Sequence, residues 1–243
     1  MIESYFVCAT PRTGSSLLLG LLESTGLAGR PESYFRQPDE QQWADRWGIP
    51  GPGHPAFDYA AFVRAARAAG TTPNGIFGAK LMWGTLDEVV TKLAPDTTGA
   101  DLGVLEAAFG EVRFVYLHRE DVLAQAVSWL RAEQTGTWQA SAPAGPGTPA
   151  SEPRYDAAGV TALLATIAEH NAAWREWFAA YRITPYEITY ERLTADLAGT
   201  TRGVLTYLGL DPAAARPVRA RHRRQGDRLN DEWVTRYRAE DVR

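Results

Sequence analysis

Two short stretches of the chain carry side chains whose types and spacing suit an oxyanion. The first is Cys8-Ala9-Thr10-Pro11-Arg12-Thr13-Gly14-Ser15-Ser16, where an apolar run meets a tight turn, hydroxyl residues and a leucine-rich segment. The first N–H groups of a helix have no partner within it and sit at the positive end of its dipole. A turn feeding such a helix makes an anion cradle, here with Arg12 as its cation. Gly-Lys-Ser/Thr is missing, so this is not a Walker loop. Cys8 and Arg12 also stand too close in sequence for a cysteine-phosphatase loop, and Cys8 reads as a core thiol at a strand end. The second stretch is Tyr116-Leu117-His118-Arg119-Glu120-Asp121, continuing through Gln125 to Ser128 and Trp129. Arg119 leaves an apolar run where a parallel sheet presents its ligand groups. Ser128 comes two helical turns later and can face the same anion; the plainer alternative pairs Arg119 with Asp121.

The elements that must position these groups are read from hydrophobic periodicity. Residues 3–8, 75–83, 111–118 and 186–190 read as buried strands. Helices are expected at 15–23, 59–69, 85–93, 121–135, 160–178 and 193–208, with a last short helix that Asp231 caps. Residues 27–53, rich in Gly, Pro and aromatics, are expected to be irregular. Residues 139–156, with Pro143, Pro146, Pro149 and Pro153 among small residues, read as a Pro/Gly/Ala-rich loop or lid that is mobile without ligands. Strands alternating with helices give an α/β fold, one domain over residues 1–243, with a parallel sheet and the ligand site at the carboxyl ends of its strands.

Composition narrows the function classes. The chain has 243 residues, 45% of them hydrophobic, and a net charge of −4. Only Lys80 and Lys92 are lysines; six arginines crowd between Arg216 and Arg228, opposed there by Asp227 alone. An acidic protein with one arginine-dense segment suits a compact polyanion better than a long nucleic acid, since guanidinium groups grip phosphate or sulfate oxygens bidentately. No apolar run approaches the ~18–20 residues of a membrane helix, and no secretory leader is evident, so membrane insertion is not expected and the location is expected to be cytoplasmic. The single cysteine excludes a disulfide framework, and His54, His118, His170 and His222 lack metal-ligand spacing, so no metal is expected.

Taken with Gly78-Ala79-Lys80-Leu81-Met82-Trp83, residues 26–35, Thr72-Pro73-Asn74-Gly75 and Asp231–Arg238, these blocks resemble the sulfotransferase superfamily, and within it the bacterial trehalose 2-sulfotransferase family. The resemblance implies a P-loop-like parallel sheet flanked by helices (the sulfotransferase fold), the donor 3′-phosphoadenosine 5′-phosphosulfate, a carbohydrate or small-metabolite hydroxyl as acceptor, and a homodimer. It implies that Arg12, Thr13, Gly14, Ser15 and Ser16 cradle the 5′-phosphosulfate. Arg119 and Ser128 would hold the 3′-phosphate, and Arg224 and Arg228 would close over the nucleotide. Arg12 and Lys80 would act at the reacting group, with Pro11, Glu32, Ser33, Tyr34 and Phe35 lining the acceptor side. Two departures stand out. The family's proton-accepting glutamate lies in Gly-x-Pro-x-Glu-x-Phe, whereas here Gly29-Arg30-Pro31-Glu32-Ser33-Tyr34-Phe35 carries its acid one residue early. Pro11 also replaces a glutamine that touches the sugar in the trehalose enzyme. Sulfuryl transfer proceeds through a loose in-line transition state, so positioning and charge stabilisation dominate. Glu32 is the expected base. Trp43 and Trp47, close behind it in the chain, offer indole faces for stacking on an acceptor or for core packing. The rival readings are a P-loop kinase or NTPase, opposed by the missing loop lysine, and a donor-binding protein without catalysis, favoured by the displaced glutamate.

Overall fold

Four strands form one parallel sheet: β1 (Ser4–Ala9), β2 (Phe77–Met82), β3 (Val112–His118) and β4 (Tyr186–Thr189), in the order β2-β1-β3-β4. The structure, a computed structural model, describes residues 2–138, 152–219 and 228–241. The expected lid falls largely on residues 139–151 and so lies outside the described residues, as does Arg224. The helices are α1 (Ser15–Ser24), α2 (Gln37–Trp47), α3 (Tyr59–Gly70), α4 (Trp83–Leu93), α5 (Asp101–Phe109), α6 (Val122–Thr135), α7 (Ala157–Ala180), α8 (Tyr190–Ala195), α9 (Leu197–Tyr207) and α10 (Arg228–Asp241).

Every residue of β1 is buried, as expected of a central strand covered on both faces. Alternation sends Tyr5, Val7 and Ala9 to one face, against Leu18, Leu21 and Leu22 of α1 and Val204 and Leu205 of α9. Phe6 and Cys8 point to the other, against Phe62 of α3, Val89 of α4, Phe109 of α5 and Trp174 of α7. A third cluster joins α6, α7 and α10 through Ala126, Leu130, Val160, Ile167 and Trp233. Cys8 is a fully buried free thiol, and burial pushes its pKa up. From β1 the chain crosses to β2 on one side and then to β3 on the other. The sheet's direction of growth therefore reverses between β1 and β3, and a crevice opens beyond their carboxyl ends.

Several expectations need correction. The stretch 27–53 is not wholly irregular: α2 forms within it, with Pro38 in its first turn beside Asp39 and Glu40, and left-handed Gly48 after its end. Its buried Glu40 carboxylate accepts from Lys92 Nζ of α4 at 2.7 Å, a tertiary tie invisible to local periodicity. Helix α5 has no counterpart among the expected elements; α7 docks its start, with Tyr181 Oη accepting from Asp101 N and Trp177 Nε1 donating to Asp101 Oδ2. The helix expected at 193–208 is two. Asp196 ends α8 and caps α9, its side chain accepting from Gly199 N at 2.7 Å. Helix α10 is already under way at Arg228, so Asp231 lies in its first turn and is not its cap.

The loop after α1 is fastened to the edge of the sheet. Thr72 Oγ1 accepts from Gly29 N (3.1 Å) and donates to Asn74 Oδ1 (2.6 Å), while Asn74 Nδ2 donates to Leu27 O (2.8 Å). Arg30 N donates to Gly70 O, and Lys80 N to Glu32 O at 3.0 Å, so Glu32 bridges Ala79 on the outer edge of β2. Gly29 has a φ of +69°, and a Cβ there would lie 2.7 Å from Gly78 N and 2.9 Å from Gly70 O, both backbone atoms. Gly75 has a similar φ of +86° but open space around it. Both substitutions to alanine strain the backbone; only Gly29→Ala also collides. Thermal unfolding should show Gly29→Ala costing about 1–3 kcal/mol more than Gly75→Ala, read as a Tm roughly 3–10 °C lower. Equal Tm values for the two variants would contradict this packing.

Candidate active site

The turn between β1 and α1 takes two left-handed residues, Arg12 (φ 67°) and Gly14 (φ 81°). Gly14 precedes the first turn of α1 with no side-chain cap, which leaves the early N–H groups of that helix facing the crevice mouth. Tyr190 packs against Gly14 so closely that a Cβ would lie 2.7 Å from its ring. Thr13 Oγ1 donates to Thr10 O at 3.0 Å, so this buried hydroxyl braces the turn. Ser15 is buried at the helix start and Ser16 is half-buried beside it.

Helix α6 supplies the facing wall. Arg12 Nε donates to Ser128 Oγ at 3.0 Å and Arg12 Nη1 to Trp138 O at 2.6 Å. Gln125, three residues before Ser128 on the same helical face, donates through Nε2 to Thr10 Oγ1 (2.8 Å) and Pro11 O (2.7 Å). Asp121 caps α6 by accepting from Ala124 N, and does not pair with Arg119 in the way the plainer alternative held. Arg119 instead lays its guanidinium over the Tyr190 ring, 4.6 Å from the centroid, with Nε 3.7 Å from Glu191 Oε1. Glu191 also accepts from Glu120 N and Asp121 N, which fixes the loop after β3. Arg119 Nε is buried and has no hydrogen-bond partner among the described residues. Burial lowers the Arg12 pKa, and the neighbouring Arg119 charge lowers it further. Arg12, Ser128 and Arg119, which the sequence assigns to opposite ends of a donor, thus meet in one crevice.

A second group of charges lies along the outer edge of β2. Burial pushes the Lys80 ammonium down to about 8, Arg36 and Arg12 push the same way, and Glu32 and Asp39 oppose them. Arg36 holds Asp39 in a two-pronged ion pair, Nε to Oδ2 at 2.6 Å and Nη2 to Oδ1 at 2.5 Å. Glu32 and Ser33 are half-buried on the loop that Thr72 and Asn74 clamp.

The other expected site residues have these surroundings. Phe35 is fully buried against Phe62 and Phe109, and Tyr34 is buried with its hydroxyl donating to Arg30 O. Trp43 and Trp47 stack on each other at 5.6 Å and pack on Tyr34, and Trp47 also meets Phe62. These four rings support the loop carrying Glu32, because burying their faces against one another is what holds it to α3. Pro11 turns its carbonyl to α6. His118 stacks on Tyr116 and has Nε2 3.6 Å from Glu187. Arg228 is exposed at the start of α10, while Arg216 N donates to Thr25 O beyond the far end of α1. Sequence reasoning missed Gln125, Tyr190 and Glu191 as site residues, and gave Thr72 and Asn74 no task. The hydrogen bonds that tie Thr72 to Gly29 and Gln125 to Thr10 span 43 and 115 residues, beyond the reach of any local pattern. Among the described residues no group of three or more His, Cys, Asp or Glu could hold a metal ion, and no helix is long and apolar enough to cross a membrane.

Comparison with known proteins converges on one family. The family model described as Stf0 sulphotransferase matches residues 4–240. The chain is 33% identical over 267 residues to a trehalose 2-sulfotransferase of Mycobacterium tuberculosis (strain ATCC 35801 / TMC 107 / Erdman), covering 100% of this chain and 97% of that one. It is also 33% identical over 264 residues to the protein of the same name from Mycolicibacterium smegmatis (strain ATCC 700084 / mc(2)155), covering 99% and 96%. Among solved structures, a sulfotransferase domain from the curacin biosynthetic pathway superposes with a TM-score of 0.51 at 15% identity, over 94% of this chain and 80% of that one, a likeness of fold.

The lowered Lys80 pKa has a measurable consequence for stability. Folded Lys80 releases its proton near pH 8, whereas the unfolded chain keeps it until about the ordinary 10.5. Between these values the unfolded state binds more protons, so folding stability rises with pH. Denaturant titrations from pH 7 to 10 should show the wild type gaining stability relative to Lys80→Met. A flat difference would mean that Lys80 is solvated and carries an ordinary pKa.

Proposed function

The chain belongs to the Stf0 sulphotransferase family, and from that premise we propose that it moves a sulfuryl group from 3′-phosphoadenosine 5′-phosphosulfate to a hydroxyl of a carbohydrate. The observation that carries the proposal is the convergence of Arg12, Ser128 and Arg119 on the crevice beyond β1 and β3. Those residues fit a phosphorylated nucleotide. Arg119 Nε is a buried donor without a hydrogen bond among the described residues, and Ser128 Oγ, accepting from Arg12, keeps its own proton to give. When bound, the donor supplies an activated sulfuryl group whose in-line transfer passes through a loose transition state.

The protein's contribution is charge and geometry. The N–H groups at the start of α1, with Thr13, Gly14, Ser15 and Ser16 around them, receive the 5′ end. Arg119 and Ser128 receive the 3′-phosphate as charge-assisted partners, and the family resemblance assigns Arg228 and Arg224, the latter outside the described residues, to the same nucleotide. Arg12 and Lys80 neutralise negative charge developing at the transferred group. Glu32 accepts the proton of the acceptor hydroxyl at Oε. Its support is its place on the edge of β2, where Lys80 N donates to its carbonyl and its charge acts on the Lys80 ammonium. The two relatives carry trehalose in their names, which makes that disaccharide the first acceptor to try. A homodimer is the assembly the reading takes over from the family, and the cytoplasm is the location expected from the sequence; a monomer by light scattering at micromolar concentration would contradict the former.

Binding and turnover test the two halves separately. Calorimetry should show 3′-phosphoadenosine 5′-phosphate binding well ahead of AMP, with Arg119→Ala erasing about 1.5–3 kcal/mol of that preference. Equal affinity of the wild type for the two nucleotides removes Arg119 as the reader of the 3′-phosphate. Glu32→Gln keeps the side chain's shape but not its basicity, so turnover should fall ~10²–10⁴-fold with nucleotide affinity little changed. Near-normal turnover by that variant with an accepted sugar would show that Glu32 is not the base.

A further inference from the structure

Arg12 is one of two non-glycine residues with positive φ among the described residues, the other being Arg182. A side chain in that region is strained and persists only where its surroundings over-determine it. Its φ is set by the peptide joining Pro11 to Arg12. Flipping that peptide changes the ψ of Pro11 and the φ of Arg12 together, and would return Arg12 to an ordinary backbone region. The flip must also turn the Pro11 carbonyl around, because C=O and N–H point in opposite directions across a trans peptide. That carbonyl accepts from Gln125 Nε2 at 2.7 Å, while the second proton of the same nitrogen goes to Thr10 Oγ1 at 2.8 Å. Gln125 is fully buried, and its Oε1 has no hydrogen-bond partner among the described residues. The two Nε2 bonds are therefore what orient the amide, and Pro11 O, an acceptor only, requires nitrogen on that side.

We infer that Gln125 is a positioning residue which, by holding the Pro11 carbonyl, keeps Arg12 left-handed and its guanidinium against Ser128. The inference rests on the sulfotransferase reading of the crevice. One face of α6 then does two things three residues apart: Gln125 sets the backbone of the turn and Ser128 receives the side chain. The Ser128 bond alone cannot fix the turn, since a long arginine side chain reaches one hydroxyl from several backbone conformations. A glutamine answers the geometry because its one planar nitrogen carries two donors. Methionine keeps the length without a donor. An ionised glutamate sets an acceptor against an acceptor.

A double-mutant cycle on binding of 3′-phosphoadenosine 5′-phosphate tests this, with affinities from calorimetry and folding followed by thermal unfolding. Gln125→Met alone should weaken binding about 10-fold, the scale of a lost buried hydrogen bond. In an Arg12→Ala background the same change should alter affinity by less than about twofold, because the residue through which it acts is gone. If Gln125→Met fails to fold, Gln125→Glu serves in the same cycle. A full, multiplicative effect in the Arg12→Ala background, or no effect in the wild type, overturns the positioning role while leaving the donor assignment standing. A wild type that does not bind the nucleotide overturns the donor assignment, and this inference with it.

Discussion

Arg12 and Arg119 are held near each other in a half-buried crevice, close enough that the charge of one depresses the pKa of the other. Like charges in such a place are tolerated only where fixed dipoles and counter-charges offset them. The offsets are specific: the carbonyl of Trp138 and the hydroxyl of Ser128 on Arg12, the ring of Tyr190 and the carboxylate of Glu191 on Arg119. The sheet order puts this pair of cations at the switch point between β1 and β3, where a parallel sheet binds its ligands. The two arginines follow the ends of adjacent strands, Arg12 in the turn after β1 and Arg119 directly after β3.

The acceptor side depends on a different constraint, the docking of an otherwise loose segment on the edge of β2. Thr72 and Asn74 clamp residues 27–29, and Gly29 is the one residue type that fits the close approach to the backbone of Gly70 and Gly78. Tyr34, Phe35, Trp43 and Trp47 then bury their rings together. The outcome is Glu32 beside Lys80 on the outer edge of β2, a carboxylate next to an ammonium whose pKa burial lowers. Aromatic packing thus fixes the backbone of the segment that carries Glu32.

Much of the framework could be read in the sequence because its signals are local. The strands are continuous apolar runs, and the turn at Arg12–Ser16 shows itself by a strand, a glycine and a helix start within a few residues. The arginine at the end of β3 is recognisable for the same reason. What escaped depends on distance along the chain. Helix α2 is polar over most of its length and is held by Glu40 reaching Lys92, 52 residues away, so its apolar stripe is short. Gln125 looks like an ordinary helical glutamine until the fold brings it to Thr10 and Pro11. Tyr190 reads as a strand end and Glu191 as part of the link to the next helix, yet both pack around Arg119. The tryptophans were ambiguous for a different reason: indole suits a sugar face and a core equally, and Trp43 and Trp47, both half-buried, pack on each other, with Trp47 also on Phe62.

Transfer of a sulfuryl group to a sugar hydroxyl in this crevice can be observed directly. The most direct measurement is mass spectrometry of trehalose incubated with the purified protein and 3′-phosphoadenosine 5′-phosphosulfate. The expected result is a sugar carrying one sulfate, formed together with an equal amount of 3′-phosphoadenosine 5′-phosphate, and neither product when Arg12 is replaced by alanine. A chain that binds the nucleotide tightly yet sulfates neither trehalose nor any other carbohydrate in a panel would contradict it, and would mark the protein as a nucleotide binder without transferase activity.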